Sequence, residues 1–212
     1  MSKSVYLFST SKVNLPNIID IKSLDVTLLQ PKIDFSKYDY FIISSKQVSK
    51  ALKNYNIDDY KNKKALCVSS VSARYYKDIG GEVLDIADGY GDGLVQIIKK
   101  YPKELQWLYL RGENIASNFA EVCRRDGYKI DESILYRTQC SKEILEVKTQ
   151  ESATLIFTSP SNVHCFLKAT QFKSAQKVIV IGKTTAKALP ASVDYKMARV
   201  TTIEACLELI EF

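Results

Sequence analysis

Hydroxyl-bearing and glycine residues follow short apolar runs at five places in the sequence. They are the pairs Ser44-Ser45 and Arg111-Gly112 and the segments 69–72, 158–161 and 182–185. If each apolar run is a strand that leads into a helix, the turn presents unpaired backbone N–H groups at the positive end of the helix dipole. Such a turn can bind an anion. Serine and threonine also favour helix N-caps for purely structural reasons, so capping alone explains any single turn.

Five such turns at one edge of a fold predict an anion-binding cleft, because ligands of open α/β sheets bind at the carboxyl ends of the strands. The candidate binding residues in these turns are Ser44, Ser45, Ser69, Ser72, Arg111, Gly112, Thr158, Ser159, Ser161, Gly182, Lys183, Thr184 and Thr185.

Other kinds of site lack their sequence signatures. No Gly-x-Gly-x-x-Gly, Walker loop or Gly-x-Ser-x-Gly elbow is present, so nicotinamide, nucleoside-triphosphate and serine-hydrolase chemistry have no fingerprint. The five cysteines form no Cys-x-x-Cys pair, and we expect buried, reduced thiols rather than disulfides or a zinc site. The single histidine, His164, is expected on a helix without a ligand partner, so no metal is predicted.

The charge balance favours anionic partners. The net charge is +6, with 46% hydrophobic and 25% charged residues, as in an ordinary globular protein. The lysines are spread along the chain without interleaved aromatic residues, so nucleic-acid binding is not expected. No apolar run is long enough to span a membrane and no signal-peptide core is present, which predicts a cytoplasmic protein.

Short β-type runs alternate with helical patterns over nearly the whole chain. The predicted strands are residues 5–8, 40–43, 65–68, 108–110, 134–136, 155–157 and 178–181. Residues 117–126 have helical spacing, and Gly127 is predicted to cap that helix at its carboxyl end. The alternation predicts an α/β fold of parallel sheets flanked by helices.

The chain also resembles itself at a long offset. Residues 42–46 match residues 156–160, and residues 67–73 match residues 180–186 in the same order. A third pair, residues 5–8 with 108–111, breaks the order, because the element comes first in one copy and last in the other. We therefore expect two similar lobes joined by a two-stranded linker. Residues 1–31 and 142–212 would form one domain, residues 32–141 the inserted second domain, and residues 30–35 and 135–140 the crossings.

Five segments together resemble the uroporphyrinogen-III synthase family. They are YDYFIISS at 38–45, LRGE at 110–113, SILYRT at 133–138, IFTSPS at 156–161 and IGKTTAKAL at 181–189. Each motif is weak alone, but their order and spacing over most of the chain are fairly specific.

The resemblance implies a cyclising lyase that needs no cofactor and acts on hydroxymethylbilane. This linear tetrapyrrole carries acetate and propionate groups on every ring. Loss of its terminal hydroxyl as water gives an azafulvene, and attack by the substituted carbon of ring D gives a spiro intermediate that reopens and recloses as uroporphyrinogen III. The family also implies a place in heme biosynthesis and makes the upstream bilane-forming enzyme a candidate partner. A monomer without nucleic-acid or membrane partners is expected.

The same resemblance implies roles for particular residues. Tyr136 matches a family tyrosine proposed to assist departure of the hydroxyl, since a phenol can donate a proton at neutral pH. The structural alternative is a half-buried strand tyrosine at the domain junction. Ser72 and Thr185 match hydroxyls that line the cleft. Ala116 stands where the family commonly has an arginine, and the candidates for the missing carboxylate contacts are Lys12, Lys46, Arg74 and Arg111.

Two other functions remain open at this point. A non-catalytic two-lobed protein that closes on a small anion would have the same fold. A nucleic-acid-binding protein would show strongly salt-dependent affinity for oligonucleotides.

Overall fold

The computed structural model describes residues 4–10, 12–87, 91–115 and 117–210, without the side chains of residues 91 and 92. Ala116 therefore lies outside the described residues. The strands are β1 (Val5–Ser9), β2 (Ile18–Lys22), β3 (Leu24–Leu28), β4 (Tyr40–Ile43), β5 (Lys64–Cys67), β6 (Glu82–Ile86), β7 (Gln106–Gly112), β8 (Lys129–Cys140), β9 (Thr154–Phe157), β10 (Lys177–Val180) and β11 (Tyr195–Met197).

Most strands are followed by a helix. The helices are α1 (Lys46–Leu52), α2 (Ile57–Tyr60), α3 (Ser70–Lys77), α4 (Gly91–Ile98), α5 (Phe119–Arg125), α6 (Lys142–Leu145), α7 (Pro160–Ala169), α8 (Lys183–Ala186) and α9 (Ile203–Leu207). A 3₁₀ turn covers Phe35–Lys37. The predicted strands are all present, with ends that differ by at most two residues except in the longer β8. Gly127 has a φ of 91° directly after α5, as its predicted capping role requires.

Contacts divide the chain into two compact units. Unit 1 comprises Met1–Asp25 with Gln139–Phe212, and unit 2 comprises Val26–Thr138. Both boundaries fall earlier in the chain than the sequence suggests. The Gln30 side chain donates to the Asn54 carbonyl at 2.6 Å and the Tyr55 phenol donates to the Pro31 carbonyl at 2.7 Å, which ties residues 30 and 31 to unit 2.

Unit 1 is built on a wholly parallel sheet with the strand order β11-β10-β9-β1-β2. Its central strands are buried on both faces, as their continuous apolar sequences predict. On one face Phe8, Phe157 and Phe166 pack with ring centroids 4.7–5.4 Å apart. Such aromatic pairs contribute about 0.5–1.5 kcal/mol each beyond their burial. On the other face Leu7 and Ile156 pack with Cys206 of α9.

Unit 2 is built on a sheet with the order β3-β8-β7-β4-β5-β6. Five of these strands are parallel. The sixth, β3, runs antiparallel to β8, because Ser141 N bonds Ser23 O at 3.0 Å while Leu29 N bonds Leu135 O at 2.8 Å. The sheet is therefore mixed rather than wholly parallel, and the chain passes between the units in β3 and near the end of β8.

The two sheets repeat one strand order. The order β11-β10-β9-β1-β2 in unit 1 corresponds to the order β6-β5-β4-β7-β8 in unit 2. In this comparison β9 corresponds to β4, β10 to β5 and β1 to β7. The predicted internal similarity, including the element that changes place in the chain, is thus confirmed. The pairing of residues 5–8 with 108–111 is off by one residue, because Val5 is beside Thr154 whereas Trp107 is beside Tyr40, the counterpart of Thr154.

The expectation that every cysteine is reduced is wrong for one pair. Cys140, at the end of β8, forms a disulfide with Cys165 on α7, with their Cα atoms 5.4 Å apart. Cys67, Cys123 and Cys206 are free and buried. Burial raises the pKa of the Cys67 thiol to about 12 and that of Cys123 and Cys206 to about 11. These three thiols are therefore held in the unreactive protonated form.

Candidate functional site

The predicted binding residues lie where parallel strands end, at the carboxyl edge of each sheet. In unit 2 they follow β4 and β5 or end β7, and in unit 1 they follow β9 and β10. This is the edge at which α/β sheets bind ligands. The hydrogen bonds divide these residues into those that hold the turns in shape and those that remain open to a ligand.

In unit 2, the turn after β4 is held by two hydroxyl contacts. Ser45 is the N-cap of α1 and accepts a hydrogen bond from Gln47 N at 3.2 Å. Ser44 Oγ lies 3.4 Å from the phenol oxygen of Tyr109, a buried residue of β7 that donates to it. Burial raises the pKa of Tyr109, so its phenol stays protonated and remains a donor. Tyr109 was not predicted, because only the strand pairing brings residue 109 to Ser44.

The turn after β5 is a capping box. Ser69 accepts from Ser72 N at 3.3 Å, and Ser72 Oγ accepts from Ser69 N at 3.1 Å and donates to Ser69 O at 2.8 Å. Ser72 is only 1% exposed, so its hydroxyl shapes the turn instead of facing solvent. Within the described part of the chain, the N–H groups of Ser70 and Val71 have no hydrogen-bond partner. These two groups are the ones that this turn offers to an anion.

Arg111 is held by its own unit. Its Nε donates to Glu132 Oε2, and its Nη1 donates to the carbonyls of Gly112 at 2.8 Å and Glu113 at 3.0 Å. Glu132 also accepts from Arg124 Nη1 at 2.7 Å. Burial opposes ionisation of Glu132, but the hydrogen bonds from Arg124 and Arg111 outweigh it and lower the pKa of the carboxyl. Arg111 therefore shares the one negative charge of Glu132 with Arg124, and its Nη1 is already bonded to two carbonyls at the end of β7.

Tyr136 lies beside this end of β7. It pairs with Gly112 after an irregularity between Arg111 and Gly112, and its carbonyl accepts from Glu113 N at 2.9 Å. A Cβ added at Gly112 would come within 2.6 Å of Tyr136 Cζ and 2.9 Å of its hydroxyl oxygen. The half-buried ring also packs against the apolar cluster that contains Leu110 and Leu135. Both interpretations of Tyr136 fit this position, because the residue lies two positions before the chain leaves unit 2 and at the carboxyl edge of its sheet.

In unit 1, the turn after β9 is organised by a buried amide. Thr158 Oγ1 donates to the Phe8 carbonyl at 3.0 Å, and Asn162 Nδ2 donates to Phe8 O at 2.7 Å and Thr158 Oγ1 at 2.9 Å. Ser159 caps α7 by accepting from Asn162 N at 3.3 Å. Ser161 is exposed in the first turn of α7. Asn162 was not predicted, because nothing in the sequence distinguishes it from an ordinary helix residue.

The turn after β10 is more open. Lys183 and Thr184 are exposed, while Thr185 is 1% exposed and takes the place that Ser72 has in unit 2. Gly182 precedes α8, and a Cβ there would lie 3.2 Å from Thr201 Cγ2. Both hydroxyls predicted to line a cleft at equivalent positions, Ser72 and Thr185, are thus buried.

Two cavities of unit 1 lie away from this edge. Their volumes are about 250 and 470 Å³, and both are lined by Gln176, Val178 and Asp194 near the amino ends of β10 and β11. Because ligands of parallel sheets bind at the carboxyl ends, neither cavity is the candidate site.

The described residues contain neither a metal-binding cluster nor a membrane-spanning helix. His164 lies on α7 and is exposed. Among the described residues, no group of three His, Cys, Asp or Glu side chains is placed to hold a metal ion. In the same ranges, no helix combines the length and apolar character needed to cross a membrane.

Known proteins share this architecture. A crystal structure of uroporphyrinogen-III synthetase from Helicobacter pylori 26695 matches with a TM-score of 0.81 and 22% identity over 97% of each chain. A mutant uroporphyrinogen III synthase from the extremely thermophilic bacterium Thermus thermophilus matches with a TM-score of 0.62 and 14% identity over 96% of each chain. At these identities the likeness shows the fold. Comparison with curated proteins gives no significant match.

The sequence itself matches a family model. Residues 17–208 fit the model described as HEM4, uroporphyrinogen-III synthase HemD. The match spans both units and includes each of the turns described above. The chain therefore belongs to the uroporphyrinogen-III synthase family, whose members are enzymes of heme biosynthesis.

Proposed function

We propose that this chain cyclises hydroxymethylbilane to uroporphyrinogen III, with inversion of ring D and loss of water. The single observation that carries the proposal is the family match over residues 17–208. The reaction breaks a carbon–oxygen bond and forms a ring, so the enzyme would be a cyclising lyase. We place it in the cytoplasm as a monomer, with the upstream bilane-forming enzyme as a candidate partner.

The substrate carboxylates would be held mainly by backbone N–H groups and exposed side chains at the carboxyl edges of the sheets. In unit 2 the unpartnered N–H groups of Ser70 and Val71 support this assignment. In unit 1 the exposed side chains of Ser161, Lys183 and Thr184 support it. The hydroxyls of Ser45, Ser69, Ser72 and Ser159 would act indirectly, because each accepts a hydrogen bond that fixes a turn.

The proton donor would be Tyr136. Its phenol is half-buried at the carboxyl end of the β7–β8 pair, where Gly112 leaves room for the ring. A phenol there can donate a hydrogen bond or a proton to the departing hydroxyl. The remaining catalysis would come from folding the bilane so that the substituted carbon of ring D attacks, which is an effect of proximity and orientation. The proposal includes no metal and no organic cofactor.

The isomer of the product tests the proposal directly. Without enzyme hydroxymethylbilane closes to the type I isomer, so hydroxymethylbilane would be incubated with the purified chain and, in parallel, with heat-denatured chain. The products would be oxidised and separated as type I and type III uroporphyrins. We expect type III from the folded chain and type I from the control. Type I alone in both samples, with the chain still binding the bilane, would instead identify a non-catalytic anion-binding protein.

A further inference from the structure

The four cations that the sequence predicts as carboxylate contacts differ in whether they already form an ion pair within the protein. Lys12 pairs with Glu143 at 3.2 Å, and Arg111 pairs with Glu132. In the described residues, neither Lys46 nor Arg74 forms an ion pair with a carboxylate. Both belong to unit 2. Two of the four cations therefore have a carboxylate partner within the ranges that the structure describes, and Lys46 and Arg74 do not.

The two available cations converge on one aromatic ring. Lys46 Nζ lies 6.0 Å and Arg74 Cζ lies 5.6 Å from the centroid of the Tyr75 ring. The ring attracts each cation through its quadrupole, but two like charges on one ring repel each other. An anion bound beside this ring would be attracted by both charges and would lower that repulsion.

This arrangement lies beside the turns that follow β4 and β5. Lys46 is the first residue of α1, directly after the turn at Ser44, and Tyr75 is on α3, which follows the neighbouring strand β5. Val71 precedes Tyr75 by four residues and so lies on the same face of α3. Its side chain is 47% exposed, although it is apolar. The surface thus combines an apolar and aromatic face with two cations.

We infer that Lys46 and Arg74, together with Tyr75 and Val71, form a binding subsite for one pyrrole ring and its carboxylate side chains. The pyrrole face would pack on Val71 and Tyr75, and its acetate or propionate group would be held by the two cations beside the Tyr75 ring. This inference rests on the proposed function, because it takes hydroxymethylbilane as the ligand. It assigns carboxylate contacts to Lys46 and Arg74, whereas the Nε and Nη1 atoms of Arg111 are bonded within unit 2.

The test is to remove one charge at a time. Lys46→Gln and Arg74→Gln would be compared with Lys50→Gln, which removes the same charge from an exposed position of α1 outside the subsite. We expect KM for hydroxymethylbilane to rise about fivefold in each subsite variant, with kcat within about twofold of wild type. Circular dichroism melting curves would check that all three variants fold.

A second pair of variants separates the ring from the charges. Tyr75→Phe keeps the aromatic face and should keep KM, whereas Tyr75→Leu should raise it. Titration with uroporphyrin III, an octacarboxylate, measures a dissociation constant that does not depend on turnover. This constant should rise in the same variants that raise KM. If Lys50→Gln raises KM as much as Lys46→Gln, or if no subsite variant changes it, the subsite is wrong. Absence of type III product from the wild-type chain would overturn the proposed function instead.

Discussion

Tyr136 lies over Gly112 so closely that any side chain at residue 112 would overlap its ring. The nearest approach of an added Cβ would be 2.6 Å, to Tyr136 Cζ. Gly112 does not have a positive φ, so glycine is needed here for space and not for backbone conformation. The position of the proposed proton donor thus depends on a residue that has no side chain.

Gly112→Ala should therefore displace the Tyr136 ring without unfolding unit 2. We expect kcat to fall about tenfold or more, because a misplaced donor loses most of its benefit. Gly182→Ala is the matched control in unit 1, since its nearest neighbour would be a movable methyl group of Thr201 at 3.2 Å. That variant should retain activity within about twofold. Full activity in Gly112→Ala would mean that the placement of Tyr136 does not matter.

Tyr136→Phe tests the donor itself. The change removes the hydroxyl and leaves the ring over Gly112, so we expect the rate to fall by about tenfold, or ~1.4 kcal/mol of barrier, with the protein still folded. The low end of the usual range is expected because the hydroxyl leaves readily from an electron-rich pyrrole. Thr184→Ala, an exposed hydroxyl in a turn with backbone donors, should change the rate only mildly. If Tyr136→Phe keeps the full rate and the type III product, ring inversion depends on substrate folding alone.

Arg111 should affect catalysis by positioning Tyr136 and not by contacting the substrate. It bonds the carbonyl of Gly112, and Gly112 lies against the Tyr136 ring. Arg111→Lys keeps the charge but loses the fork that holds Glu132 and the carbonyls of Gly112 and Glu113. We expect kcat to fall about fivefold while KM stays nearly unchanged.

A double mutant separates the two roles of Arg111. In a Tyr136→Phe background there is no hydroxyl left to misplace, so Arg111→Lys should then cost less than about twofold. Additive losses in the double mutant, or a raised KM in the single one, would show that Arg111 contacts the substrate directly.

Much of the fold could be predicted because the central strands are buried on both faces and have continuous apolar sequences. The strands that the sequence did not reveal are β2, β3, β6 and β11, and these are the edge strands of the two sheets. Edge strands face solvent, so polar and charged residues such as those of Ile18–Lys22 and Glu82–Ile86 interrupt their apolar pattern.

The site was less predictable, because the roles of its residues depend on contacts between distant parts of the chain. Ser72 and Ser69 have the same residue type, yet only the structure shows that the Ser72 hydroxyl is buried in a capping box. Glu132 pairs with Arg111 from the neighbouring strand, although the two residues are 21 positions apart in the chain. No local pattern encodes such a partner. The sequence therefore predicted where the turns are, but not which of their side chains are hydrogen-bonded within the protein and which are open to a ligand.

The disulfide gives a prediction for stability in unit 1. Cys140 and Cys165 are separated by 25 residues, and closing a loop of that size stabilises a fold by about 3 kcal/mol. Reductant should lower the free energy of unfolding of the wild-type protein by about that amount. In a Cys140→Ser/Cys165→Ser variant, reductant should leave the free energy of unfolding unchanged. Thiol titration in denaturant should count three thiols before reduction and five after. Five thiols without reductant would show that the pair is not bonded in the isolated protein.

The carboxyl of Glu132 gives a prediction for pH. Its pKa is lowered in the folded protein by Arg124 and Arg111, so its unfolded form binds a proton more readily. The stability it contributes is therefore present above the unfolded pKa of about 4.3 and is lost as the pH falls through the lower folded value. Glu132→Gln should lower the free energy of unfolding by about 2 kcal/mol at pH 7.

The difference between wild type and Glu132→Gln should shrink below about pH 4, because the unfolded wild-type chain then binds a proton at Glu132 and, at still lower pH, the folded protein does so too. Urea unfolding between pH 3 and pH 7 measures both proteins. Glu121→Gln is the control, since Glu121 pairs with Arg125 on the exposed face of α5, where an ion pair contributes little. The free energy of unfolding of Glu121→Gln should equal that of the wild type at every pH. A Glu132→Gln difference that stays constant with pH would mean that packing of the side chain, and not its charge between two arginines, stabilises the end of β7.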